Sequence, residues 1–185
     1  LPDGPHSNPG DDRPYELALP TFAAVAAYHH KLPQQPAALE PFLTAVDTFA
    51  MGDYAHPLGE GDQISAAEKQ AIAEKLHTYT GLPTAYWLKA NLRVSGGEFE
   101  QTLQSDNELT NGRLDARFSG PTLSPLARIA EYDPQSAAIS SAYVSLYNQY
   151  VRQVLKYGNG QTFLPTAHFG SYTWDMKHAQ PNSPP

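Results

Sequence analysis

Apolar side chains recur every three to four residues along several stretches of this chain, which is the spacing of a helix with one buried face. The first stretch covers residues 21–32, follows Pro20 and ends before Pro33. The second covers residues 38–55 and places Pro41 in its first turn, where a missing N–H costs little. Each pattern predicts an amphipathic helix.

Capping sequences mark the starts and ends of the next two helices. After a predicted break over residues 56–63, the sequence Ser65–Glu68 has the form of a capping box. It predicts a helix that buries apolar residues as far as about Tyr79 and ends at Gly81. A short helix is predicted over residues 84–92, after the following proline.

Two further helix starts are readable in the second half of the chain. Ser95–Glu98 is a second capping-box sequence and opens a helix over residues 98–106. Asp133 and Pro134 are a good N-cap and first-position pair and open the longest helix, at about residues 135–156. Its apolar stripe, which we interpret as a packing surface, consists of Ile139, Tyr143, Leu146, Tyr147, Tyr150 and Val154.

These elements predict a mainly α fold with at most two short strands. We expect one helical domain over residues 15–176, between a flexible N-terminal segment (1–14) and a flexible C-terminal tail (177–185). Both ends are rich in proline and polar residues, which favour mobile chain. Because the first residue is Leu1, we also expect the chain to be a piece of a longer protein.

The segment "NGRLDARFSG", residues 111–120, alternates charged and apolar residues between two glycines. Alternation of this kind predicts a strand with Arg113, Asp115 and Arg117 on one face and with Leu114, Ala116 and Phe118 on the other, where Leu114 and Phe118 are expected to turn inward. Asp115 is expected to pair with at least one of the arginines. The face is then an ion-paired structural surface, a solvated strand edge or a site for an anion.

Composition and charge narrow the classes of function. Twelve basic residues against 19 acidic ones give a net charge of −7, and no basic stripe occurs, so general binding to nucleic acid or to an anionic membrane is not expected. Cysteine is absent, which excludes disulfides and thiolate chemistry. No apolar run approaches the roughly 20 residues that a membrane span needs.

The usual catalytic motifs are absent from the sequence. No Gly-x-Ser-x-Gly elbow occurs, since the sequence around Ser171 lacks the second glycine, and there is neither a phosphate-binding glycine loop nor a His-Glu-x-x-His pair. His29 and His30 are adjacent and would point about 100° apart on a helix, so they cannot hold one metal together. We predict no catalytic residue, no metal site and no cofactor. Trp174 is interpreted as an anchoring aromatic, with a ligand contact as the alternative.

Five segments resemble, in the same order, bacterial members of the serine carboxypeptidase family. They are "LPTFAAVAAYHHKL", "LEPFLTAVDTFAMGDYA", "GLPTAYWLKANLRV", "GRLDARFSG" continuing to "EYDPQSAAISSAYVSLYNQYVRQVLKY", and the late "WD". The resemblance covers roughly residues 15–176. Each motif is modest in specificity by itself, but five in register are a strong signal.

The resemblance implies that this chain is the helical cap inserted into an α/β-hydrolase. It implies that the catalytic serine lies before Leu1 and that the triad aspartate and histidine lie after Pro185, so no catalytic residue is carried over to this sequence. The reaction implied for the parent protein is removal of C-terminal residues from peptides through an acyl-enzyme, without a metal or cofactor. Its implied location is periplasmic or secreted.

The partners expected from this reading are the hydrolase core of the parent protein and, in the parent, a peptide substrate. Arg113, Asp115, Arg117 and Trp174 are the candidate residues at the junction with the core or at the substrate, with the junction favoured. Self-association as a homodimer is expected through uncovered aromatic residues, namely Phe118, Phe163, Phe169, Tyr172 and Trp174. The alternatives are a stand-alone helical binding or dimerisation module and, less favoured, a complete enzyme.

Overall fold

The computed structural model describes residues 10–162 of the chain. Its fold is mainly helical with two short strands, so the predicted class is confirmed. The helices are α1 (Arg13–Tyr28), α2 (Leu39–Phe49), α3 (Ala55–Glu60), α4 (Ala66–Thr80), α5 (Thr84–Lys89), α6 (Gly96–Thr102) and α7 (Pro134–Gln149). Short π-helical turns cover Ala50–Tyr54 and Tyr150–Val154, and 3-10 turns cover Gly61–Gln63 and Ser105–Asn107.

Strands β1 (Leu109–Asn111) and β2 (Ser119–Pro121) pair antiparallel as a hairpin, with Thr110 opposite Gly120. The chain divides into two compact units, Leu1–Ala138 and Ile139–Pro185. None of the helices within residues 10–162 combines the length and the apolar composition that a membrane-spanning segment requires.

The core of the first unit is built around helix α1. Phe22 of α1 stacks on Phe99 of α6, with ring centroids 4.2 Å apart and an interplanar angle of 5°. Trp87 of α5 is buried and donates its indole N–H to the hydroxyl of Thr80 at 3.2 Å. A buried indole N–H needs a hydrogen-bond acceptor, and here the neighbouring helix α4 supplies it.

Helix α1 begins at Arg13, eight residues before the predicted start at residue 21, so that expectation was wrong. Pro20 lies inside the helix, where it removes one main-chain hydrogen bond. A long-range ion pair anchors the extra turns, because the Arg93 guanidinium donates two hydrogen bonds of 2.7 Å to the Asp12 carboxylate just before the helix. Tertiary contacts of this kind override a local helix-breaking signal.

The predicted break over residues 56–63 was also wrong in its first half. The chain continues from α2 through the π turn Ala50–Tyr54 into α3 and leaves the helix only at Gly61, whose φ is +58°. Pro57 lies within this helical run, shortly after the π turn, and donates no main-chain hydrogen bond there. Tyr54 is buried and donates its hydroxyl hydrogen to the Leu92 carbonyl at 2.6 Å, which fixes this segment against the core.

The two capping-box sequences form different structures. Ser95 accepts a hydrogen bond from the Glu98 N–H, and the Glu98 carboxylate accepts from the Ser95 N–H at 2.9 Å, so this box closes in both directions. Ser65 accepts from the Glu68 N–H at 3.1 Å, but no return bond from Ser65 to the Glu68 carboxylate forms within the described residues. The capping box was therefore predicted correctly at Ser95, whereas at Ser65 only the bond from the Glu68 N–H to the serine hydroxyl forms.

We expect Ser95→Ala to destabilise the chain more than Ser65→Ala. Loss of an N-cap costs about 0.5–2 kcal/mol, and the upper end applies to Ser95 because the substitution also removes the hydroxyl that donates to the buried Glu98 carboxylate. Urea denaturation of both variants, followed by circular dichroism, measures the difference. Equal losses would contradict the stabilisation assigned to the hydrogen bond from the Ser95 hydroxyl to the Glu98 carboxylate.

Candidate functional site

The segment "NGRLDARFSG" is the loop end of a β-hairpin and not the predicted continuous strand. Its ends belong to β1 and β2, while residues 112–118 form the connection, which we call the hairpin loop. Gly112 donates its N–H to the Phe118 carbonyl at 2.9 Å, and Phe118 donates to the Asp115 carbonyl at 3.2 Å. A side chain at Gly112 would collide with the Asp115 carbonyl, so the loop can close this tightly only with glycine there.

The charges of the hairpin loop pair as predicted, although the strand geometry is wrong. Arg117 donates to the Asp115 carboxylate from Nε at 2.8 Å and from Nη2 at 2.6 Å. The hydrogen bonds from Arg117 lower the pKa of Asp115 to about 2. Arg113 places its main-chain N–H on the Asp133 carboxylate at 3.1 Å, which connects the loop to the start of α7.

Of the three apolar residues of the hairpin loop, only Ala116 is buried as the predicted inward face requires. Leu114 is 72% exposed and Phe118 is half-buried, whereas Ala116 is the buried residue. The reason is that a compact loop does not alternate its side chains as a strand does. The remaining predicted site residue, Trp174, and three of the expected surface aromatics, Phe163, Phe169 and Tyr172, lie outside the described residues.

A polar tether fixes the hairpin loop against the end of helix α1. The Nε2 of His29 lies 2.6 Å from the Ala116 carbonyl oxygen and 2.8 Å from the Asn111 Nδ2, and the tautomer of the ring decides which of these it bonds as donor or acceptor. The buried Asn111 amide donates to the same carbonyl at 3.1 Å. His29 and His30 both lie just beyond the end of α1, with His29 half-buried and His30 exposed. Asn111 was not singled out from the sequence.

A groove of about 320 Å³, which we call the hairpin groove, lies between helix α1 and the hairpin loop. One face of α1 lines it at helical spacing through Thr21, Ala24, Val25 and Tyr28. The opposite wall consists of Leu39, Leu114, Asp115, Ala116 and Arg117. The groove is therefore largely apolar with one ion pair, an arrangement suited to an apolar side chain carried on a polar backbone.

Two of the four histidines among residues 10–162 lie within hydrogen-bond distance of main-chain carbonyls. His29 contacts the Ala116 carbonyl, and the Nδ1 of His77 hydrogen-bonds the Leu82 carbonyl at 2.9 Å. Over residues 10–162, no hydrogen bond between a serine hydroxyl and a histidine ring is present.

One group of side chains has the composition of a metal site. His56, Glu60 and Glu68 place their ligand atoms within 4.8 Å of one another, and all three residues are exposed. The His56 Nε2 and the Glu60 carboxylate are 3.9 Å apart, one helical turn from each other on α3. Such exposed groups commonly occur without a metal, and no second feature of the region points to an ion.

Comparison of this chain with known proteins identified no relative. No family model matches the chain, and neither the curated proteins nor the solved structures contain a match.

Proposed function

We propose that this chain is the non-catalytic helical cap of a serine carboxypeptidase-like hydrolase, which shapes the access of peptides to an active site carried elsewhere in the parent protein. The observation that carries the proposal is the convergence of three of the five resembling segments on the hairpin groove. The segment at 19–32 supplies its α1 wall, the segment at 39–55 supplies Leu39, and the segment at 112–120 supplies the opposite wall.

The residues that line the hairpin groove support a role in peptide access. Its walls are apolar enough to accept a side chain, and lids of this kind exclude water and position the substrate while the chemistry takes place on another domain. Exposed apolar residues at its rim, Leu39 and Leu114, would be covered by a peptide or by the hydrolase core.

The ion pair of the hairpin loop favours a structural role over capture of a substrate carboxylate. Arg117 directs both Nε and Nη2 to Asp115, so its fork is already used within the loop. Arg113 contributes its main-chain N–H to the connection with α7. The proposal therefore assigns these charges to the junction between the cap and the core.

A stand-alone helical binding or dimerisation module is the second candidate, and α7 with its π-helical extension is the feature that favours it. The stripe interpreted as a packing surface is exposed, with between 50% and 69% of the accessible surface retained at Tyr143, Leu146, Tyr147, Tyr150 and Val154. That interpretation was therefore wrong for the described structure. Apolar surface of this extent is typical of an interaction surface.

The isolated chain should remain unlabelled by a fluorophosphonate, because the nucleophile is proposed to lie outside it. Intact mass spectrometry measures the labelling, and a Ser171→Ala variant is the control for the serine that most nearly resembles an elbow. Stoichiometric labelling that disappears in this variant would show a complete enzyme and overturn the cap assignment.

The encoding reading frame separates the two remaining candidates. A frame that continues on both sides, with a Gly-x-Ser-x-Gly elbow before this segment and a triad histidine after it, is the result expected for a cap. The full-length product should then be labelled at the elbow serine. A frame without the elbow would favour the stand-alone module.

A further inference from the structure

A second groove, of about 430 Å³, lies between α5, the start of α6 and the loop that precedes α7. We call it the cationic groove because three basic residues line it in a chain whose net charge is −7. Its lining residues are Tyr86, Lys89, Ala90, Asn91, Arg93, Glu98 and Arg128. None of the sequence motifs pointed to this groove.

Glu98 is the positioning residue of the cationic groove. It is only 7% exposed, and its Oε2 accepts hydrogen bonds from the N–H and the hydroxyl of Ser95 at 2.9 and 2.7 Å. Burial raises the pKa of Glu98, but hydrogen bonds from Arg128 and Ser95 outweigh burial and leave the pKa below its ordinary value. The carboxylate is therefore charged near neutral pH.

The Glu98 carboxylate holds Arg128 by one edge of its guanidinium. The Arg128 Nε donates to the Glu98 Oε1 at 2.7 Å, although the Arg128 side chain is 79% exposed. An exposed arginine normally samples many rotamers, and a buried carboxylate beneath it restricts that freedom. The two Nη groups of Arg128 have no partner among the residues that the structure describes, so they remain available to a ligand.

The other two cations of the cationic groove differ in availability. Arg93 has a structural role, since its Nε and Nη2 both donate to the Asp12 carboxylate. Its Nη2 also donates to the Leu58 carbonyl at 3.0 Å. Lys89 is exposed, and within residues 10–162 its ammonium group forms neither a hydrogen bond nor an ion pair. Arg128 and Lys89 are thus the two groups that can bind an anion.

We propose that the cationic groove binds a singly charged carboxylate, with the Nη groups of Arg128 as a fork, the Lys89 ammonium as a second cation and the Tyr86 ring as an apolar wall. The charge balance supports a monoanion. Lys89, Arg93 and Arg128 carry three positive charges, and Glu98 and Asp12 offset two of them. One positive charge remains, which matches a carboxylate better than a phosphate dianion.

Two sources can supply this carboxylate, a small carboxylic acid or the acidic side chain of a peptide. N-acetylglycine represents the first source, and the blocked peptide acetyl-Gly-Asp-Gly-amide represents the second. N-acetylglycinamide has nearly the same shape as N-acetylglycine without the charge. Saturable shifts of the Lys89 and Asn91 amides and of the Arg128 Nε–H, measured by heteronuclear NMR on the whole chain, report binding.

We expect N-acetylglycine to shift these signals until binding is saturated and N-acetylglycinamide to leave them unchanged. The blocked peptide tests separately whether a side-chain carboxylate also binds. Arg128→Met and Arg128→Lys should each weaken binding by roughly tenfold, because lysine keeps the charge but loses the fork. Lys89→Met should also weaken it, whereas the exposed control Lys75→Met should not.

Three results would overturn the proposal: no saturable shift with either carboxylate, full binding by Arg128→Lys, or tighter binding of inorganic phosphate than of N-acetylglycine. The comparison of N-acetylglycine with its amide uses the unaltered chain, so it does not depend on the folding of any variant. Because no peptidase activity is measured, this experiment and the labelling test of the cap proposal can fail independently.

Discussion

Replacing Phe22 with alanine should destabilise the first unit by about 3–5 kcal/mol, which is the usual loss for a buried phenylalanine. Phe22 is 1% exposed and lies in the middle of α1, where its ring stacks on that of Phe99 at 4.2 Å. The substitution removes this contact between α1 and α6 and leaves a cavity that the surrounding helices cannot close. Urea denaturation followed by circular dichroism measures the free energy of unfolding.

Leu17→Ala is the matched control for this prediction. Leu17 lies on the same helix but is 63% exposed, so its truncation should change the stability by no more than about 0.5 kcal/mol. A similar loss in both variants would mean that helix propensity, and not packing of the Phe22 ring, accounts for the contribution of α1. A loss below about 1 kcal/mol at Phe22 would contradict the stacked core.

Helical periodicity predicted the buried faces well where one side of a helix packs on the core. The apolar residues of the first two stretches include Phe22, Val46 and Phe49, and all three are buried. The Gly81 stop was also predicted, because a helix end in the left-handed conformation requires a residue without a Cβ clash. These signals are local, so a single sequence contains them.

The hairpin loop shows why alternation alone predicted the wrong geometry. Alternating charges indicate a strand only if the segment is extended, and here local hydrogen bonds replace extension. The Asp115 carboxylate accepts from the Arg117 N–H at 3.1 Å, two residues away. Gly112 allows the chain to fold back on the Asp115 carbonyl. The two glycines that bracket the segment were the available signal for a turn.

The early start of α1 and the cationic groove could not be predicted from local patterns, because both depend on contacts between distant residues. Arg93 and Asp12 are 81 positions apart, and Arg128 and Glu98 are 30 positions apart. A sequence shows that these side chains can form ion pairs, but only the fold determines which of them meet. The polar tether of the candidate site, formed by His29 and Ala116 across 87 positions, has the same origin.

Periodicity also identifies an apolar face without identifying what covers it. The stripe of α7 repeats at helical spacing, yet Tyr143 and Leu146 are 69% and 65% exposed. A stripe on a helix is buried only when another element packs against it, and that element need not belong to the same chain.

The hairpin groove and the cationic groove, which both lie in the first unit, differ in the chemistry of their walls. The hairpin groove is largely apolar, and its single ion pair is satisfied internally by Asp115 and Arg117. The cationic groove instead holds available donors on Arg128 and Lys89, above the buried Glu98 carboxylate. The chain therefore presents an apolar surface and cationic donors at separate places. Carboxylate binding can be measured on this chain alone, whereas the proposed role of the hairpin groove can be tested only in the longer protein that the cap proposal assumes.

Replacing Gly81 with alanine should destabilise the first unit by about 2–5 kcal/mol, from left-handed strain and from a steric collision together. Gly81 ends α4 with a φ of +74°, and its N–H donates to the His77 carbonyl at 2.8 Å. A Cβ at this position would collide with the main-chain carbonyl of Lys31, which cannot move aside as a flexible side chain can. The helix end and the α1–α2 connection would have to separate.

Gly52→Ala is the control, because Gly52 lies in the π turn with a negative φ and with no atom near its missing Cβ. Alanine there should be neutral or should stabilise the chain by up to about 1 kcal/mol, since glycine has the greater conformational entropy when unfolded. Urea denaturation of both variants measures the sign and size of each change in the free energy of unfolding. A loss of less than about 1 kcal/mol at Gly81 would show that the Lys31 carbonyl can yield, and that the close contact between α4 and the α1–α2 connection is not a fixed feature of the core.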